Sequence, residues 1–156
     1  MSGSSQFRLL GQRRFAPFFA TQFLGALNDN IFRNGLVILI TFQGVIVAGM
    51  DHTQLANVAA GLFILPYLLF SASAGQLADK YEKSMLIRRI KVMEIALMML
   101  AAFSLTTESY SLLLLVLFLM GCQSTIFGPV KYAYLPQKLA DDELVGGNAL
   151  VESGTY

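Results

Sequence analysis

The chain is poor in the residues that a water-soluble surface, a disulfide or a metal site requires. Only 13% of its 156 residues are charged, against about a quarter in an average soluble domain. Its single cysteine, Cys122, excludes an internal disulfide and a multi-cysteine metal site, and its single histidine cannot build a metal site either. The net charge of +1 argues against a nucleic-acid partner. No nucleotide-binding loop, nucleophile triad or paired-carboxylate site is visible, so we expect neither an enzyme nor a cofactor.

Long apolar runs take the place of these features. Hydrophobic residues make up 55% of the chain, and a transmembrane helix needs about 20 mostly apolar residues. Four segments satisfy this requirement: 18–47, 55–77, 86–105 and 112–127. The final stretch, LVGGNALVESGTY, is typical of the start of a fifth helix. The sequence therefore predicts an all-α, multi-pass integral membrane protein with the lipid bilayer around it.

The positions of the basic residues predict the orientation of these spans. They precede the first span, crowd the link between the second and third, or follow the fourth: Arg8, Arg13, Arg14, Lys80, Lys83, Arg88, Arg89, Lys91, Lys131 and Lys138. The other two links contain no lysine or arginine. The positive-inside rule then puts the amino terminus in the cytoplasm. Residues 1–14 are predicted to form a cytoplasmic tail, and residues 15–156 a partial transmembrane bundle.

The first span contains a charged residue near mid-membrane, Asp29. A charge at that depth costs about 2.5–3.5 kcal/mol on insertion scales, so Asp29 should face protein or a water-filled cavity. Spacings of three or four residues place Gln22, Gly25 and Asp29 on one helix face. Arg33 continues that face and can pair with Asp29 at i, i+4.

Two interpretations of this patch remain open. A structural ion pair between Asp29 and Arg33 would lock the first helix to its neighbours. Alternatively, Asn28, Asp29, Asn30 and Arg33 form a polar site for a substrate headgroup or a coupling ion, as intramembrane acids commonly do in transporters. We favour the site, because two amides beside an acid and a guanidinium suit a zwitterionic headgroup.

The link between the second and third spans carries the motif GQLADKYEK. Asp79 sits at the carboxyl end of the second helix, where the helix dipole disfavours an anion, so it needs a compensating partner. The order Gly75, Asp79, Lys80, Lys83 resembles the signature loop between helices 2 and 3 of major facilitator superfamily transporters. Glu82 stands where that family usually has a second glycine.

This resemblance implies a fold and a role for the loop. The chain would be an incomplete amino-terminal six-helix half, with four helices and the start of a fifth, and its partner would be the carboxyl-terminal half of the transporter. Gly75, Asp79, Lys80 and Lys83 would be conformational gating residues, because the acid of this loop contacts the second half in that family.

A narrower resemblance rests on the stretches QFLGALNDNIFRNGLVILI, GPVKYAYLPQKL and VGGNALVESGTY. They resemble the bacterial lysophospholipid transporter branch of the superfamily. This implies a secondary transporter that moves lysophospholipid, chiefly lysophosphatidylethanolamine, from the outer to the inner leaflet of the inner membrane, where it is re-acylated. Asp29 matches a first-helix acid of that branch that is implicated in substrate handling, and Lys131 matches the basic residue of that branch after helix 4. Some members are fused to acyltransferase and acyl-acyl carrier protein synthetase domains, so acyl carrier protein is a further implied partner.

Lys131 and Glu94 each leave two interpretations open. The dipeptide Gly128–Pro129 should kink or end the fourth helix, leaving Lys131 near the cytoplasmic interface. There it would be either a snorkelling topology residue or a phosphate contact. Glu94 is predicted to pair with Lys91 at i, i+3, the other interpretation being a role in proton or cation coupling.

Two alternative functions also remain open from the sequence. A carboxylate at mid-membrane equally suits a proton-coupled exporter of drugs or small metabolites. A membrane anchor for a fused acyltransferase would use its polar residues only for structure.

Overall fold

The computed structural model describes residues 6–155. These residues form helices and short connections and contain no strand. The α-helices are α1 (Ala16–Phe42), α2 (His52–Lys80), α3 (Lys83–Thr106), α4 (Tyr110–Tyr134) and α5 (Leu144–Ser153). A 3-10 helix, Gln6–Gly11, precedes α1, and a 3-10 turn, Leu135–Gln137, extends α4. The predicted all-α architecture, with four long helices and a short fifth, is confirmed.

Two helices of the described chain are long and apolar enough to cross a membrane: α2, and α4 with its 3-10 extension. Helices α1 and α3 have comparable lengths of 27 and 24 residues, but polar and charged side chains interrupt their apolar runs. Large apolar side chains cover the outside of the bundle, with Leu68 77% and Met99 70% exposed. A large exposed apolar surface marks a membrane or protein contact. That α1 and α3 also cross the membrane stays a prediction.

Helix α4 lies between α2 and α3 and forms the centre of the bundle. Its contact with α2 depends on Gly121, because a methyl group there would lie 2.6 Å from the carbonyl oxygen of Phe63 and 3.0 Å from Pro66 Cγ. Small residues allow helix backbones to approach closely in membrane bundles. Leu55 on α2 and Leu117 on α4, both fully buried, fill the core nearby.

Side-chain hydrogen bonds join segments at each of the two ends of the bundle. At one end, Arg14 donates 2.7 Å hydrogen bonds to both carboxylate oxygens of Glu143 and a 3.0 Å bond to the Lys138 carbonyl. At the other end, the Tyr110 hydroxyl donates to Gln43 and joins the two links that lack lysine and arginine. Which end faces the cytoplasm stays a prediction.

Helix α4 does not end at Gly128–Pro129 but continues to Tyr134. A kink at this dipeptide stays a prediction. Proline within a membrane helix is tolerated where neighbouring groups satisfy the freed backbone positions. Lys131 is consequently held on the helix and inside the bundle, where it is only 7% exposed.

Glu82 explains why this chain can depart from the glycine of the signature loop. Its carboxylate accepts hydrogen bonds from the Ser84 N–H at 2.9 Å and the Met85 N–H at 2.6 Å, and it caps the start of α3. These two backbone donors lower the pKa of Glu82 below its usual value, the Ser84 bond contributing most. A glycine at this position has no carboxylate, so the Ser84 and Met85 N–H groups would have to donate to water instead.

Replacing Glu82 by alanine should therefore lower the thermal unfolding temperature of the detergent-solubilised protein at pH 7. We expect a fall of roughly 2–4 °C, typical of losing one helix cap in a chain of this size. Because the folded-state pKa is depressed, the contribution is present above the unfolded-state pKa and disappears as the pH falls through the folded-state pKa. Glu82→Asp should retain the cap. Equal unfolding temperatures of wild type and Glu82→Ala, at pH 7 and down through the folded-state pKa, would contradict the assignment of Glu82 as the cap of α3.

Candidate functional site

A polar cavity of about 270 Å³ lies in the bundle where α1, α4 and α5 meet, with one residue each from α2 and α3. It is lined by Gln22, Gly25, Ala26, Asp29, Tyr67, Lys91, Gln123, Ser124, Phe127, Gly128, Lys131, Tyr132, Glu152 and Thr155. The predicted polar face of the first helix is thus confirmed from Gln22 to Asp29. Helical periodicity places these residues on one face of α1, and the packing of α4 and α5 makes that face a wall of the cavity.

Asp29 lines the cavity from α1. The Ser124 hydroxyl on α4 donates a hydrogen bond to Asp29 Oδ2. The other oxygen, Oδ1, is buried and has no hydrogen-bond partner. A buried polar atom without a partner is costly, so this oxygen is available for a donor that enters the cavity.

Lys91, Glu94 and Gln123 form a second polar group beside Asp29. The predicted Lys91–Glu94 pair is confirmed, with Nζ 2.6 Å from Oε2. Gln123 Nε2 also donates to Glu94 Oε2 at 3.2 Å, while Gln123 Oε1 is buried without a partner. Lys91 lies between α1 and α4, with Nζ 4.9 Å from the ring centre of Phe127. It therefore brings a positive charge to the cavity wall.

Lys131 provides a second positive charge on the opposite side, next to α5. Its Nζ donates to Thr155 Oγ1 at 3.2 Å and lies 3.6 Å from Glu152 Oε1. Gln22 Nε2 donates to the Val151 carbonyl at 2.9 Å and so attaches α1 to α5. The short fifth helix and Thr155 after it therefore line the side of the cavity next to Lys131.

Three residues of the predicted patch lie outside the polar cavity. The direct Asp29–Arg33 pair, one of the two interpretations that the sequence left open, is absent. Arg33 instead donates to Asn30 Oδ1 at 2.7 Å, and its guanidinium lies 5.3 Å from the centre of the Phe63 ring. Asn30 in turn donates to the Ala26 carbonyl at 3.0 Å. Asn28 lines a separate cavity between α1 and α3. Of the patch, only Asp29 reaches the polar cavity.

The four predicted gating residues lie away from the cavity, at the α2–α3 connection. Asp79 is exposed and makes no ion pair with any residue of the described chain. The Lys80 ammonium lies 5.7 Å from the Tyr81 ring centre. A methyl group at Gly75 would meet nothing within 4 Å. Lys83 begins α3. The compensating partner expected for Asp79 is therefore not found within residues 6–155.

The cavity thus brings together charged side chains of both signs. Asp29 and Glu152 are acidic, and Lys91 and Lys131 are basic. Charges act more strongly on one another in such a partly buried site than in water. The arrangement suits a ligand that carries a phosphate and an ammonium group.

Sequence reasoning did not identify Gln123, Ser124 and Thr155 as site residues. The stretch CQST, 122–125, is a polar interruption of an otherwise apolar helix and was the available signal. Thr155 has no such signal, because its position depends on how α5 packs against α1.

Comparison with known proteins confirms the resemblance to lysophospholipid transporters. The chain is 28% identical over 155 residues to the lysophospholipid transporter LplT of Photorhabdus laumondii, covering 99% of this chain and 36% of that protein. It is 26% identical over 136 residues to LplT of an Enterobacter species, covering 87% of this chain and 31% of that protein.

The similarity extends to a transporter with a different name. The chain is 29% identical over 124 residues to the staphyloferrin A transporter of Staphylococcus aureus, covering 76% of this chain and 29% of that protein. The chain spans about a third of the length of the curated relatives it matches. No family model matches it, and no solved structure does. Its relatives are transporters.

Proposed function

We propose that this chain is the amino-terminal part of a secondary transporter of the major facilitator type in the bacterial inner membrane. Its substrate is lysophospholipid, chiefly lysophosphatidylethanolamine, which it moves from the outer to the inner leaflet for re-acylation. The observation that carries the proposal is the polar cavity, with charges of both signs and unpartnered buried atoms. The similarity to two proteins named lysophospholipid transporter supports the choice of substrate.

The headgroup has two complementary ends for which the cavity offers partners. Its ammonium group would donate to Asp29 Oδ1 and Gln123 Oε1, two of the three buried acceptors of the cavity that have no hydrogen-bond partner. Its phosphate would accept from Lys131 and Lys91, whose ammonium groups line the same space. Lysine binds phosphate as a point charge. An anionic phosphate would displace the weak 3.6 Å contact between Lys131 and Glu152.

The α2–α3 connection would act in gating rather than in substrate binding. Asp79 is exposed and lacks an ion-pair partner within residues 6–155, and Gly75 leaves open space beside α2. We propose that Asp79, with Lys80 and Lys83, contacts the second half of the transporter. Arg33 and Asn30 would stabilise α1 against α2 through the Phe63 ring.

Uptake into proteoliposomes tests the substrate. The full-length transporter that carries this chain is reconstituted, and radiolabelled lysophosphatidylethanolamine is added to the outer leaflet. Its movement to the inner leaflet is measured as the fraction that albumin no longer extracts. We expect faster movement than in protein-free liposomes, and competition by unlabelled lysophosphatidylethanolamine. Movement at the protein-free rate would refute the proposal.

A second candidate is the transport of a polar metabolite, favoured by the similarity to the staphyloferrin A transporter. The same proteoliposomes separate the two candidates. Lysophospholipid uptake that excess staphyloferrin A does not reduce supports the lipid. Transport of staphyloferrin A without lysophospholipid movement supports the metabolite.

A further inference from the structure

Glu94 on α3 holds two side chains of the polar cavity without lining the cavity itself. Its Oε2 accepts hydrogen bonds from Lys91 Nζ at 2.6 Å and from Gln123 Nε2 at 3.2 Å. Glu94 is 9% exposed, and Lys91 and Gln123 both line the cavity. One buried carboxylate oxygen therefore fixes a cation and an amide of the cavity wall at the same time.

Gly25 on α1 provides the space that the Lys91–Glu94 pair occupies. A methyl group at this position would collide with the Lys91 ammonium and would lie 3.4 Å from both carboxylate oxygens of Glu94. Asp29 lies four residues further along the same face of α1. Four residues correspond to a rise of about 6 Å, a distance that the flexible four-carbon side chain of lysine can span.

Lys91 nevertheless leaves the Asp29 carboxylate free. Within residues 6–155, the structure pairs Lys91 with Glu94, and Asp29 Oδ1 has no hydrogen-bond partner. The charged end of lysine and the ammonium of an ethanolamine headgroup are the same chemical group, a primary ammonium with three N–H donors. An acceptor that binds one of them also binds the other. Lys91 is therefore a built-in competitor for any headgroup ammonium that approaches Asp29.

The amide of Gln123 is oriented by the same carboxylate. An ionised carboxylate only accepts hydrogen bonds, so the amide nitrogen must face Glu94. The amide oxygen, Oε1, is then the atom that remains without a partner, in a side chain of a residue that is only 2% exposed. Gln123 precedes Ser124, whose hydroxyl donates to Asp29. Glu94 thus leaves an acceptor, not a donor, free on α4 close to Asp29.

We propose that Glu94 is a positioning residue that keeps the ammonium site of the polar cavity open. It holds the Lys91 ammonium away from Asp29 and leaves the oxygen of Gln123 free, so both acceptors remain available to the headgroup ammonium. The inference rests on the proposed function and adds to it a residue that the headgroup does not touch. Without the charge of Glu94, Lys91 moves to Asp29 and competes with the substrate.

The kinetics of Glu94→Gln in the full-length transporter test this competition. Glutamine keeps the size of the side chain and can still accept from Gln123, but it cannot neutralise Lys91. We expect the KM for lysophosphatidylethanolamine in proteoliposomes to rise about tenfold or more, because a charge-assisted contact of the headgroup is lost to Lys91. The maximal rate should stay within about twofold of wild type, since the competitor affects binding. An unchanged KM overturns the inference.

Glu108→Gln is the matched control. It removes the same charge at an exposed residue of the α3–α4 connection, outside the cavity, and should keep the wild-type KM. A purely structural role of Glu94 predicts a different pattern, with a lower maximal rate and a lower unfolding temperature at the wild-type KM.

Removal of Lys91 separates the competition from other effects of the Glu94 substitution. When Lys91 is absent, nothing in the cavity wall competes for Asp29. The double variant Glu94→Gln, Lys91→Met should therefore have the KM of Lys91→Met alone, within about twofold, and a lower KM than Glu94→Gln. A double variant whose KM stays as high as that of Glu94→Gln overturns the inference.

Carbodiimide cross-linking of the wild-type full-length transporter tests the pairing without any substitution. An apolar carbodiimide enters the bilayer and joins a carboxylate to an amine in contact with it, and mass spectrometry locates the amide. We expect an amide between Lys91 and Glu94 in the substrate-free protein. An amide between Lys91 and Asp29, or no amide on Lys91, overturns the inference. Failure of wild type to move lysophosphatidylethanolamine is a different result, because it refutes the proposed function itself.

Discussion

Replacing Asp29 by asparagine should lower the rate of lysophosphatidylethanolamine uptake by roughly 10- to 150-fold, the loss expected when a charge-assisted hydrogen bond worth about 1.5–3 kcal/mol is removed. Asparagine keeps the size of the side chain and can still accept from Ser124. It lacks the negative charge that we propose binds the headgroup ammonium through Oδ1. Uptake into proteoliposomes measures the effect, and thermal unfolding checks that the variant folds.

Asp141→Asn is the matched control, because Asp141 is exposed in the α4–α5 connection, outside the cavity. It should transport like wild type. The membrane-anchor alternative predicts that Asp29→Asn leaves the lipid recycling of the full-length protein intact. Equal uptake by wild type, Asp29→Asn and Asp141→Asn would make Asp29 a structural residue and contradict the headgroup site.

Gly121→Ala should destabilise the bundle by about 1–3 kcal/mol, the usual cost of overpacking a well-packed interior. The added methyl group would lie 2.6 Å from the Phe63 carbonyl oxygen, a backbone atom that cannot rotate away, and 3.0 Å from Pro66 Cγ. Helices α2 and α4 would have to separate at the centre of the bundle. The unfolding temperature of the purified protein in detergent measures the loss.

Gly61→Ala is the control for Gly121→Ala and should have the opposite sign. Gly61 lies on α2, where an added methyl group meets nothing within 4 Å. Alanine there gains up to about 1 kcal/mol of helix propensity over glycine. A Gly121→Ala variant that melts at or above the temperature of Gly61→Ala would show that the two helices do not pack through this glycine.

The helices and one wall of the site were predictable because they depend on local pattern. Apolar runs of sufficient length predict α1 to α4, and the three- and four-residue spacing from Gln22 to Asp29 predicts which face of α1 is polar. The Lys91–Glu94 pair was predictable for the same reason, since both residues lie on one helix, one turn apart.

The other features of the site depend on contacts between helices, which the spacing of residues along the sequence does not reveal. Arg33 lies four residues after Asp29 and three after Asn30 on α1, so its spacing allows a hydrogen bond to either. In the structure it donates to Asn30 and lies over the Phe63 ring of α2. Lys131 is buried because α4 continues past Pro129 and because Thr155 packs beside it. Spacing does not reveal this, because proline can also end a helix. That Lys131 lies near the cytoplasmic interface stays a prediction.

Direct mapping of the headgroup tests the central claim, that the polar cavity binds it. The measurement uses lysophosphatidylethanolamine carrying a photoreactive group on its ethanolamine nitrogen, cross-linked to the reconstituted full-length transporter and mapped by mass spectrometry. We predict adducts on cavity residues such as Ser124, Gln123 and Tyr67, removed by excess unlabelled lysophosphatidylethanolamine and diminished in Asp29→Asn. Competed adducts that lie only outside this cavity would contradict the account.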